Sequence, residues 1–134
     1  MSYRSIATAN AIVSVVLGAI ALVVPDVLAA LYGITADSVA LLAARLLGGS
    51  YVGYAIVDYL TRDAAETGTR RAIAAANGVA WAAGLVVSAY GQSLGLSNGV
   101  GWITVAMQLA FTAAWGRVYL AEGAAEHSRA MPAH

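Results

Sequence analysis

Residues 39–60 read VALLAARLLGGSYVGYAIVDYL. At about 1.5 Å per residue such a run, wound as a helix, reaches across the roughly 30 Å of a bilayer's hydrocarbon core. Two charges sit inside it, Arg45 and Asp58, among apolar and small residues that include Gly48, Gly49 and Gly53. The other apolar stretches of the chain read as partner helices for this one.

Composition places the chain in the membrane class. Of its 134 residues, 60% are hydrophobic and 10% charged, and the mean hydropathy is +0.74. A soluble domain carries about 25% charged residues. So few charges do not cover a water-facing surface. The 14 glycines suit helices that approach closely in lipid. With no cysteine there is no thiol–disulfide relay, iron–sulfur site or thiolate metal site. With no lysine there is no Schiff base to an aldehyde cofactor. The only histidines, His127 and His134, lie in the C-terminal tail, so none is offered inside the membrane to haem. The zero net charge gives no argument for nucleic acid, and no phosphate loop, HExxH or GxSxG string occurs. The expectation is a protein with no cofactor, no metal and no catalytic set.

Working outward, an apolar run over 6–24 is longer than the core of a signal peptide and reads as a first span. Pro25 ends it, and 27–34 reads as a short interfacial turn closed by Gly33. Asp37 or Ser38 is the expected N-cap of the 39–60 span. Further spans are expected at about 72–90 and 100–120, before a polar, fraying tail over 121–134. The fold class is therefore all-α: one domain of four transmembrane helices in an up-down-up-down bundle. The first and third spans open alike, with Asn10-Ala-Ile-Val and Asn77-Gly-Val-Ala, faintly suggesting a duplicated hairpin.

Six of the seven arginines, Arg4, Arg62, Arg70, Arg71, Arg117 and Arg129, fall on one side of this scheme, and loops 25–38 and 91–99 have none. The positive-inside rule then puts both termini in the cytoplasm, in the inner membrane of a cell. Tyr3, Tyr32, Tyr59, Tyr90, Trp102, Trp115 and Tyr119 stand near span ends, as an aromatic belt would.

Each partner span carries a polar or small stripe at helical spacing: Asn10, Ser14 and Gly18; Asn77, Trp81, Gly84 and Ser88; Gly101, Thr104, Gln108 and Thr112. These stripes should face one another, as interhelical hydrogen bonding or as a polar pathway. Asn10 and Asn77 lie in the cytoplasmic half, Gln108 and Arg45 in the outer half, which predicts two polar layers.

Arg45 has two readings. It lies about 9 Å below the outer boundary, and its side chain tilts outward along the helix, so it can snorkel to the surface. It also lies within about 60° of Gly48 and Gly49, and Gly49-x-x-x-Gly53 is a small-residue packing face. The expected orientation is inward, bonded to Gln108, where an arginine would bind an anion or a lipid headgroup. Asp58 lies near the cytoplasmic end on a face shared with Tyr51 and Tyr54, largely opposite Arg45. It needs a partner, and Arg62 at i+4 or Arg117 at similar depth is expected to supply an ion pair. The other reading of Asp58 is a proton or cation acceptor.

The run Pro25…Leu31-Tyr32-Gly33…Ala43-Ala44-Arg45-Leu46-Leu47-Gly48-Gly49…Tyr54 resembles small bacterial four-helix membrane proteins of unassigned function, and more loosely the DoxX-like families. The resemblance covers about the first half of the chain. It implies a fold and a membrane location but no agreed activity.

The function expected from the sequence is non-enzymatic: an accessory or assembly subunit, or a self-associating helical bundle. Its partners would be the bilayer and a homo-oligomer or larger membrane complex. The alternative is a small transporter, channel or amphiphile binder built on Arg45, Gln108, Asn10 and Asn77, with Gly48, Gly49, Gly53 and Gly84 as packing positions.

Overall fold

The computed structural model describes residues 2–130. His134 and the side chain of Arg129 lie outside what it describes. Five helices follow in order: α1 Tyr3–Val23, α2 Pro25–Leu31, α3 Ser38–Thr61, α4 Thr67–Ser93 and α5 Gly101–Ala130. Three of them, α1, α3 and α4, are long and apolar enough to cross a membrane. The chain is thus an all-helical protein with the makings of a membrane protein.

Local chemistry sets the boundaries. The Ser2 hydroxyl caps α1 by accepting from the Ser5 N–H. Pro25 separates α1 from α2 because it has no N–H to continue the ladder, and it then occupies the first turn of the next helix. Gly33, at φ 69°, makes the turn after α2. Asp37 caps α3, its carboxylate accepting from the Ala40 N–H at 2.8 Å.

α5 runs on to Ala130, through most of the stretch expected to fray. It is held there by α4. Arg70 pairs with Glu122 at 2.9 Å and Arg71 with Glu126 at 2.8 Å. The same contacts explain why α4 starts at Thr67, ahead of its apolar run.

The helices pack as two antiparallel pairs, α1 with α3 and α4 with α5, and α3 and α4 share no extended contact. Small residues set the close approach within each pair. A Cβ on Gly18 would lie 2.8 Å from the Gly48 carbonyl oxygen. A Cβ on Gly84 would lie 2.8 Å from the Gln108 amide nitrogen. Large side chains fill the space between the pairs instead. Tyr3 and Ile6 of α1 meet Trp81 of α4 and Trp115 and Val118 of α5 in one buried cluster. Tyr3 and Trp115 meet edge to face at 6.1 Å, and Phe111 stacks on Trp81 at 4.7 Å.

Two positions read as aromatic belt are therefore core: Trp115 is fully buried and Tyr3 nearly so. Tyr59, Tyr90 and Trp102 remain outward-facing. At one end Arg4 pairs with Asp63 at 3.1 Å, and the Tyr3 hydroxyl bonds Thr61 across α1 and α3. At the other end Asn98 bonds the Leu31 carbonyl at 2.9 Å, and Tyr32 bonds Thr104, tying α2 to the α4–α5 turn.

Candidate functional site

The polar centre of the molecule is built from three helices. Asn10 of α1, Asp58 of α3 and Asn77 and Trp81 of α4 form one hydrogen-bonded set, all of it buried. Its direction is fixed by one group. An indole N–H can only donate, and Trp81 Nε1 donates to Asn10 Oδ1 at 2.6 Å. Asn10 must then turn its amide nitrogen the other way. There it donates to Asp58 Oδ2 and, at 3.3 Å, to Asn77 Oδ1. Asn77 Nδ2 in turn donates to Asp58 Oδ1 at 2.7 Å. Both asparagines thus donate to Asp58, and each carboxylate oxygen receives an amide N–H.

The ion pair expected for Asp58 is not made. Arg62 instead bonds Asp63 at 3.4 Å and lies over the Tyr59 ring, 3.6 Å from its centroid. Arg117 faces outward, with no hydrogen bond or ion pair among the described residues. The reason is helical phase. The buried face of α3 runs through Gly48, Ala55 and Asp58, at helical spacing. Asp58 is fully buried on that face and does not reach the arginines near the helix ends.

The same phase puts Arg45 outside. It is exposed, and among the described residues it makes no hydrogen bond or ion pair. The expected inward turn and its bond to Gln108 are therefore corrected. Of its two readings, the outward one fits. Gly49 and Gly53 lie on this outer side too, with no atom within 4 Å of an added Cβ, so within the chain they pack against nothing. Of the four glycines expected at packing positions, Gly48 and Gly84 are the two in close contact.

Beside the polar set a cavity of about 510 Å³ opens between α3 and α4, where the two helix pairs part. Asn10, Ser14, Asn77 and Trp81 line its deep side. Leu47, Tyr54 and Val87, with Ser50, line it from exposed positions, so its mouth is mostly apolar. Gln108 reaches it from α5. That side chain is 5% exposed, and its Oε1 is buried without a hydrogen-bond partner.

Of the four positions read as ligand-binding, the structure thus brings Asn10, Asn77 and Gln108 to one cavity and leaves Arg45 out. Asn10 and Asn77 bond each other, while Gln108 stands apart from them on the α5 side. Asp58 belongs with the two asparagines. The signal for that was present: in antiparallel helices all three residues fall toward the arginine-bearing end. The wall residues Tyr51 and Tyr54 were readable only as companions of Asp58 on one face. Comparison with family models, with curated proteins and with solved structures returns no match to this chain.

Proposed function

We propose that this chain is a small, non-enzymatic integral membrane protein that binds an amphiphile in the cleft between its two helix pairs. The carrying observation is the cavity of about 510 Å³ between α3 and α4, with a hydrogen-bonding floor and a mostly apolar mouth. Sites for small molecules have this composition, mostly apolar with a few placed polar groups. A mouth rimmed by exposed Leu47, Tyr54 and Val87, on the flanks of two spanning helices, suits a ligand that arrives from the lipid.

In this reading α5 is a fourth span beside α1, α3 and α4. Both termini are cytoplasmic, in the inner membrane, because Arg4, Arg62, Arg70, Arg71 and Arg117 belong to the end where α1 and α4 begin. The likeness to DoxX-like proteins enters this proposal for fold and location only.

Ala80 lines the cleft from an exposed position. Ala80→Phe should fill it and abolish retention of amphiphiles by the protein in phosphatidylcholine nanodiscs, with helicity unchanged. Undiminished retention would remove the cleft from consideration.

A second reading has one observation behind it. The outward pair Gly49 and Gly53 faces open space beside Arg45, which suits contact with another copy of the chain. Crosslinking between copies at position 53 tests it, and a strictly monomeric protein argues against it.

A further inference from the structure

We infer that the cleft selects a lipophilic organic cation, an alkylammonium, with Asp58 as its counter-charge. This rests on the cleft reading above and adds the sign and chemistry of the ligand.

Three independent features point the same way. The first is Asp58. It is fully buried, both its oxygens only accept hydrogen bonds, and among the described residues no arginine pairs with it. A buried carboxylate held by neutral amides alone lacks charge compensation, which in a low-dielectric interior is costly. A cation entering the adjoining cavity supplies it.

The second is a set of amide oxygens on the cavity wall with room to accept. Gln108 Oε1 is buried and unpaired. Asn10 Oδ1 and Asn77 Oδ1 each take one N–H, and an amide oxygen has a second lone pair to offer. An ammonium group brings N–H donors and a positive charge, whereas an anion or ether brings neither. No arginine lines the cavity among the described residues, so its wall holds no positive charge to favour an anion.

The third is aromatic. Tyr51, Tyr54 and Trp81 line the cavity, with the Tyr51 and Trp81 rings 6.3 Å apart and inclined at 47°. Ring faces attract cations within about 6 Å of the centroid. Phe111, stacked on Trp81, holds that ring in place.

The ligand's headgroup therefore lies between the paired Asn10 and Asn77 on one side and Gln108 on the other. Asp58 acts through the two asparagines that it holds. The alkyl chain leaves past Leu47 and Val87 into lipid.

The test uses the full-length protein in phosphatidylcholine nanodiscs, titrated calorimetrically with octylammonium, octanol and octyl sulfate against empty nanodiscs. Octylammonium should bind at least tenfold more tightly than octanol, and octyl sulfate more weakly than either. Asp58→Asn should shrink the ammonium preference to within twofold, while Arg45→Leu, outside the cleft, leaves it intact. Should the Asp58→Asn protein fail to fold, Gln108→Leu decides: the preference should fall at least threefold, and an unchanged preference overturns the inference.

Octanol binding as tightly as octylammonium, and blocked by Ala80→Phe, refutes the cation and leaves the cleft standing. No binding by any of the three refutes both. A full ammonium preference in a folded Asp58→Asn protein refutes Asp58 as the counter-charge.

Discussion

Gly18 and Gly48 cross with their backbones in contact. A Cβ on Gly48 would lie 2.7 Å from the Gly18 carbonyl oxygen and 2.7 Å from the Leu22 backbone nitrogen. Backbone of a helix cannot step aside as the end of a flexible side chain can. This crossing fixes how close α1 and α3 come, and so the register that brings Asn10 to Asp58.

Gly48→Ala should therefore destabilise the protein by about 1–3 kcal/mol, the usual cost of overpacking. Gly49→Ala and Gly53→Ala meet open space. They should be neutral or stabilising by up to about 1 kcal/mol, since alanine is the better helix former. Unfolding monitored by circular dichroism in mild detergent measures all three. Equal effects at 48 and 49 would mean that α3 is rotated from the orientation described.

The asparagines should differ in weight. Asn10→Ala removes bonds to Asp58, Asn77 and Trp81, leaving an indole N–H and a carboxylate oxygen buried and unpaired. Asn77→Ala leaves the Trp81–Asn10 bond in place. Orphaned buried groups cost about 1–3 kcal/mol each, so Asn10→Ala should be the more damaging by at least about 1 kcal/mol. Because the two share Asp58, the double variant should lose less than the sum. Strict additivity in a thermal-melt cycle would mean that the set is not one network.

Arg45→Leu should leave thermal stability unchanged or raised. The side chain has no partner among the described residues, and a charge within a spanning helix is unfavourable for insertion, by up to about 3 kcal/mol at mid-membrane. A lowered melting temperature would show that Arg45 anchors the protein through a contact not made within the chain.

The cysteine-free sequence lends itself to a topology test. Thr35 follows α2 and Ser128 lies near the end of α5, both exposed. In intact cells an impermeant maleimide should label Thr35→Cys, and label Ser128→Cys only after lysis. Labelling of both from outside would mean that α5 does not cross, and labelling of Ser128→Cys alone that the arginine-rich end faces outward.

Much of the architecture was legible because it rests on local chemistry. Pro25 lacks an N–H, Asp37 carries a capping carboxylate, and the arginines cluster at one end whatever the helices do laterally. Helical phase alone also separated Arg45 from Asp58, since a rigid helix fixes the angle between two of its own residues. It did not say which of the two faces the protein. In a water-soluble helix the apolar side turns inward, but α3 is apolar nearly all round, and lipid accepts either side equally well. That choice fell to groups on other helices: the Gly18 crossing, and the amides of Asn10 and Asn77 that satisfy Asp58. Local chemistry along the chain placed the helices, ion pairs between α4 and α5 extended two of their ends, and packing across helices settled that the aspartate, and not the arginine, is the charge held inside.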